Sequence, residues 1–231
     1  MLRKSITRII EESRSLGWVL EPLAKKIMAD QGFDIPAFVL TDSIEVAKKF
    51  LREASGPVVA KAVSKKILHK TEFQAVVTGI VDENTLALQM ERLKTLEGCD
   101  QVLVEEMVSG IEIIVGAKND FQFGPVVLLG LGGTSVEIYK DTAIRMAPVN
   151  PEDVYAMVES LVARQIFKGY RNAPGVNMAL LVPLVVKFSS LIMDLENEFQ
   201  SIDLNPVICT RDRCVIVDAR IVLTPVKQEQ P

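Results

Sequence analysis

Lys61 stands inside Val58-Val59-Ala60-Lys61-Ala62-Val63, a near-continuous apolar run with strand character. An ammonium among apolar neighbours costs free energy unless it finds a partner. Two roles fit it: an edge-strand lysine facing water, or a phosphate counter-ion held on a rigid strand. Asp203-Leu204-Asn205-Pro206 ends a second strand-like run, and Asp218 ends the run that follows it. A hairpin of that length sets Asn205 beside Asp218. One amide oxygen and one carboxylate suit Mg²⁺, which takes its other ligands from water and phosphate oxygens. The alternative is a capped turn with a surface acid. Gly130-Leu131-Gly132-Gly133-Thr134-Ser135 follows another apolar run. Its glycines would let backbone N–H groups close on an anion, or simply let two strands turn tightly. The spacing is not the dinucleotide fingerprint, which needs glycines at the first, third and sixth positions. His69, the only histidine, lies in the polar stretch Lys65-Lys66-Ile67-Leu68-His69-Lys70-Thr71-Glu72. Lysines there disfavour the imidazolium but would offset the charge of a phosphoryl group on its nitrogen. A solvated loop histidine is the plainer role.

These residues need elements to position them. Periodicity and breakers predict helices over about 20–31, 45–54, 85–96, 151–164 and 176–195. Strands are expected over 38–40, 58–63, 75–81, 102–104, 111–117, 125–130, 201–204 and 215–218. Asn150-Pro151-Glu152-Asp153 has the proline and acids of a helix start. Helix and strand alternate throughout, so an α+β or α/β fold with two lobes hinged near 104–108 is expected.

Composition narrows the partners. The chain has 231 residues, a net charge of −4 and 48 % hydrophobic residues, so a large core is easily buried and no basic face for nucleic acid is expected. Ala179 to Phe188, the longest apolar stretch, is interrupted by Pro183 and Lys187 and is too short to span a bilayer. The first 17 residues mix Arg3, Lys4, Arg8 and Arg14 with Glu11 and Glu12, unlike a secretory signal. Three cysteines, Cys99, Cys209 and Cys214, form no disulfide framework, so a cytoplasmic protein is expected. Cys209 and Cys214 read as small apolar residues on paired strands rather than half a zinc site, which wants four ligands.

In order along the chain, these blocks resemble the β subunits of ADP-forming acetyl-CoA synthetases. Val58-Val59-Ala60-Lys61 with Ser64, Ile67, His69 and Lys70 is similar to that family's first block. Val104-Glu105-Glu106-Met107-Val108, Gly110-Ile111-Glu112 through Gly116, and Phe123-Gly124-Pro125 follow. Gly130 to Gly133 with Val136-Glu137, Asp141 with Arg145-Met146-Ala147-Pro148, Asp203 to Pro206 and Val217 to Arg220 complete the series. More distantly the chain is similar to the succinyl-CoA synthetase β subunit. The resemblance implies an α+β ATP-grasp fold, two α+β lobes clasping ATP or ADP, with residues 20–104 and 105–225 as the lobes. Residues 1–19 would be an N-terminal extension and 226–231 a tail. It implies Lys61 on the phosphates, backbone of Glu105, Glu106 and Met107 on the adenine edge, and Glu112 near the ribose. Gly132 and Gly133 would line the nucleotide site, Arg145 would lie near the terminal phosphate, and Asn205 and Asp218 would hold Mg²⁺. His69 would relay a phosphoryl group from a phosphohistidine on a CoA-binding α subunit to the nucleoside diphosphate, in an α2β2-type hetero-oligomer. The family's Gly-Gly pair after the histidine is replaced here by Gln74 and Ala75. That departure leaves open a regulatory nucleotide-binding module, and a stand-alone ATP-grasp carboxylate ligase is a third reading.

Overall fold

A computed structural model describes residues 4–67, 73–133, 141–171 and 174–225. In chain order its elements are α1 (Lys4–Ser13), β1 (Trp18–Val19), α2 (Glu21–Asp30), β2 (Phe38–Thr41), α3 (Ile44–Glu53), β3 (Val58–Ser64), β4 (Val76–Ile80) and α4 (Glu83–Lys94). There follow β5 (Cys99–Glu106), β6 (Ile111–Asp120), β7 (Gly124–Leu131), β8 (Thr142–Met146), α5 (Pro151–Ser160), α6 (Arg164–Lys168) and α7 (Met178–Asp194). β9 (Phe199–Cys209), β10 (Cys214–Ile216) and β11 (Ala219–Leu223) close the chain. The expected mixture of helix and strand is found, in two compact units.

The smaller unit, Pro36–Val108, is an antiparallel sheet in the order β2-β5-β3-β4. Strand alternation sends Val58, Ala60, Ala62, Val102 and Val104 to one face, where they pack with Ala47, Leu86, Met90 and Leu93 of α3 and α4. Both helices start on side-chain caps: Ser43 accepts from the Val46 amide and Asp82 from that of Thr85. The opposite face of β3 and β5 carries Val59, Lys61, Leu103 and Glu105.

The larger unit joins Met1–Ile35 to Ser109–Pro231. Its seven-stranded sheet runs β1-β11-β9-β6-β7-β8, with β10 pairing with β9. One face, with Ile113, Val115, Val127, Leu129, Ile202, Leu204 and Ile221, is buried in a single apolar cluster with residues of α1, α2, α5 and α7. Asn150 caps α5 in a reciprocal capping box with Asp153, as the Asn-Pro-Glu-Asp segment predicts.

Three expectations are corrected. Residues 1–19, expected as an N-terminal extension, fall within the larger unit, and residues 4–13 form α1, whose Ile6, Ile9 and Ile10 lie in its core. The spacing i, i+3, i+4 is a helical stripe that was legible in the sequence. α2 also belongs to this larger unit, so residues 20–35 do not share a lobe with 36–104. The helix expected over 151–164 ends at Ser160, because the Asp141 carboxylate accepts the amides of Val162 (2.9 Å) and Ala163 (2.7 Å) and a new turn starts there. Among the described residues, no helix is long and apolar enough to cross a membrane.

Candidate functional site

In the smaller unit, the register sets Lys61 opposite Leu103 and Val59 opposite Glu105. Lys61 and Glu105 are therefore diagonal neighbours on one face, close enough for long side chains to meet. They do meet: Lys61 Nζ lies 2.7 Å from Glu105 Oε1, both side chains being at most 5 % exposed. The lysine is thus neither water-facing nor isolated. Its charge is held in place before any ligand arrives, and Glu105 contributes a side chain, not only backbone.

The neighbouring backbone is also committed. The Glu106 amide donates to Ala37 O (3.0 Å) and that of Met107 to Pro57 O (3.0 Å). A purine edge at this segment would therefore have to be read through carbonyls. At the end of β3, Ser64 Oγ accepts the amides of Lys66 (3.0 Å) and Ile67 (3.1 Å) and donates to Glu97 O (2.6 Å). This pinned turn leads into the segment that holds His69; His69 itself lies outside the described residues. After that segment Gln74 has φ 49°, the left-handed region where glycine is favoured. Glutamine thus holds here a backbone conformation that glycine would meet at lower cost. Ala75 is buried, and its carbonyl accepts the Ala62 amide.

In the larger unit the critical feature is a bulge. On one side of β9, Val207 pairs with Ile113 and Leu204 with Val115, so Asn205 and Pro206 together oppose the single residue Ile114. On the other side β10 and β11 are interrupted at Val217–Asp218, across from the same two residues. The Asn205–Pro206 peptide is cis. Bulges re-aim side chains, and proline, lacking an amide, is tolerated in a sheet at such a point. Leu204 and Ala219 are paired core-face residues, so Asn205 and Asp218, one position away on each strand, reach the opposite face together. Glu112 shares it, as does Asp203, whose Oδ2 lies 2.6 Å from Arg220 Nη2. The hairpin expectation for Asn205 and Asp218 therefore has its geometry. Among the described residues no group of three or more His, Cys, Asp or Glu could hold a metal by itself. The donor set present, one amide and one carboxylate, fits Mg²⁺ only if water and phosphate complete its shell.

Two glycines of the Gly130–Gly133 segment are accounted for by strand packing. A Cβ at Gly130 would lie 2.6 Å from Asp141 O, and one at Gly132 would lie 2.9 Å from the Glu112 carbonyl carbon. Gly132 donates its amide to Glu112 O at 2.6 Å. Gly133 has φ 72° and abuts the Glu112 carboxylate. These glycines thus lie close against Glu112 and the start of β8; residues 134–140 beyond them lie outside the described residues. Arg145 departs from the group. It pairs with Val127, a core-face residue, and so falls on the face opposite Glu112, Asn205 and Asp218, with Nη1 donating to Ile144 O.

Sequence reasoning gave no role to three contributors. Ser64 and Asp141 stand in the resembling blocks but act on backbone amides, and Arg220–Asp203 ties β11 to β9 beside the bulge. For that last pair, opposite charges on adjacent strands were the available signal.

Comparison with known proteins supports the fold and the family. The chain matches the ATP-grasp domain family over residues 10–223. It is 35 % identical over 229 residues to the acetate–CoA ligase [ADP-forming] I subunit beta of Pyrococcus furiosus, covering 96 % of this chain and 97 % of that one. It is 30 % identical to the acetate–CoA ligase [ADP-forming] I of Archaeoglobus fulgidus, covering 96 % of this chain but only 33 % of that longer protein. Its fold superimposes on the dinucleotide forming acetyl-coenzyme A synthetase 1 of Ca. Korarchaeum cryptofilum, solved with coenzyme A and Mg-AMPPCP (TM-score 0.80, 28 % identity, 95 % of this chain and 100 % of that one). The chain belongs to the ATP-grasp domain family, and within it to the β subunits of ADP-forming acetate–CoA ligases.

Proposed function

We propose that the chain is the nucleotide-binding β subunit of an NDP-forming acyl-CoA synthetase. With a CoA-binding α subunit it would convert acyl-CoA, phosphate and ADP into carboxylic acid, CoA and ATP. The observation that carries this reading is the bulge at Asn205–Pro206, which turns Asn205 and Asp218 to one face beside Glu112 in a chain that spans nearly the whole of a named β subunit.

Within this reading Lys61 contacts the nucleotide phosphates, with its ammonium already oriented by Glu105. Carbonyls of Glu105, Glu106 and Met107 receive the adenine amino group, and Glu112 takes the ribose hydroxyls. Asn205 and Asp218 hold Mg²⁺, which when bound neutralises phosphate charge. Gly132 and Gly133 support Glu112. Arg145, on the other face of the sheet, is left out of the phosphate contacts. His69 takes the phosphoryl group: the P–N bond on the α subunit's histidine breaks as one forms to His69, and an oxygen of the ADP β-phosphate then displaces His69. The α subunit is invoked because the Archaeoglobus relative is about three times longer than the region matched here.

A thermal-shift titration tests the binding part. Mg·ADP or Mg·ATP at 100 times its dissociation constant should stabilise the fold by roughly 2.7 kcal/mol. No response to millimolar Mg-nucleotide would remove the reading. A second reading, a regulatory module that binds nucleotide without turnover, draws on Gln74 in its left-handed conformation; it requires normal binding and no ATP formation with the α subunit present.

A further inference from the structure

Cys209 and Cys214 take no part in the proposed chemistry. They are direct partners at the closed end of the β9–β10 hairpin, and their sulfurs are 2.7 Å apart. The Thr210 amide donates to Arg213 O at 2.8 Å, which makes 210 and 213 a hydrogen-bonded position. Antiparallel ladders alternate, so the next pair outward, Cys209 and Cys214, occupies the closely spaced non-hydrogen-bonded position. The Cα spacing of such positions lies within the range a disulfide spans. The hairpin is clamped from outside as well. Arg213 makes two bonds to the Asp34 carboxylate, both 2.8 Å, and Ile216 donates its amide to Asp34 O. The Asn177 side-chain amide donates to Arg211 O at 2.7 Å. Both cysteines are buried, but Cys209 also lines a mainly apolar cleft of about 540 Å³ with Gly110, Ile111, Ile166 and Tyr170. That cleft gives a small solute a route to Cys209.

We propose that Cys209 and Cys214 are an oxidation site, closing a reversible intramolecular disulfide when the protein meets hydrogen peroxide. The sulfur–sulfur hydrogen bond pulls the Cys214 thiol below its ordinary pKa, while the same bond and burial push Cys209 up. Either sulfur can donate in the contact between them, so one of the two reacts as the thiolate. That thiolate attacks one peroxide oxygen, the O–O bond breaks, and the released hydroxide takes up the proton the thiol gave up. The resulting sulfenic acid is attacked by the other sulfur; the S–O bond breaks and hydroxide leaves with the second thiol's proton as water. Two thiols and one peroxide give one disulfide and two waters. Cys99 serves as an internal control: burial pushes its pKa up and its thiol bonds to Gln101 O.

The test treats the full chain with hydrogen peroxide, quenches with catalase, alkylates remaining thiols and maps tryptic peptides by mass spectrometry. The expected product joins the peptide ending at Arg211 to the one beginning at Cys214, is released by dithiothreitol, and leaves Cys99 alkylated. Cys99→Ser should behave as the parent. The thermal midpoint of the oxidised protein should rise and fall back on reduction, which reads the link without a hairpin mutation. Recovery of Cys209 and Cys214 as alkylated free thiols, or of Cys214 as sulfinic acid without the cross-link, would overturn the proposal.

Discussion

The Lys61–Glu105 pair can be split into its structural and functional parts. Removing one member of a buried ion pair strands the other, so Lys61→Ala should cost about 3–5 kcal/mol in urea unfolding. Replacing both with apolar residues, Lys61→Met with Glu105→Leu, should return most of that stability. Nucleotide affinity should stay lost in the double variant, because the proposed phosphate contact is gone; an affinity restored along with stability would make Lys61 purely structural. Asp218→Asn and Asn205→Ala should weaken Mg-nucleotide binding about tenfold or more while shifting unfolding by no more than about 1 kcal/mol, since both are proposed to serve a cation and not the core. Normal binding by either variant would remove it from the metal site. Gln74→Gly should leave the fold at least as stable as the parent, because glycine takes a positive φ without the cost of about 1–2 kcal/mol that an L side chain meets there; a clear loss of stability would mean that its side chain contributes.

Much of the arrangement was legible in residue order, and the omissions have physical causes. Lys61 and the Asn205–Asp218 pairing could be read because a polar residue in an apolar strand, and a hairpin of fixed length, constrain neighbours locally. The ion-pair partner of Lys61 could not, since pairing Glu105 diagonally across β5 is a matter of register, set by tertiary contacts. The bulge was hidden for the same reason: one unpaired residue in a long ladder leaves no mark in periodicity. β8 went unseen because an edge strand with Ile144 and Met146 exposed lacks the buried alternation of an inner one. α1, by contrast, carried its apolar stripe in plain sight. Ile10→Ala should destabilise the larger unit by about 2–5 kcal/mol as a buried large-to-small change, and a neutral result would return residues 4–13 to the role of an appendage. Asn150→Ala, which breaks the capping box of α5, should cost about 1 kcal/mol.

At the scale of the molecule, each unit has its own core and its own set of chemistry-bearing residues on the sheet face away from its helices. In the smaller unit that face carries a charged pair, and in the larger one it carries the residues gathered at the bulge. The remaining requirement is a phosphoryl donor, which this chain is proposed to receive from another subunit through His69. The most direct measurement mixes the chain with its proposed CoA-binding α subunit, supplies acetyl-CoA, phosphate and Mg·ADP, and follows ATP by luciferase. ATP should form only when both subunits are present. His69→Ala should abolish it while leaving Mg-nucleotide affinity within about twofold, a change of less than 0.5 kcal/mol. Full turnover by His69→Ala, or ATP formed by this chain without the second subunit, would contradict the proposed reaction.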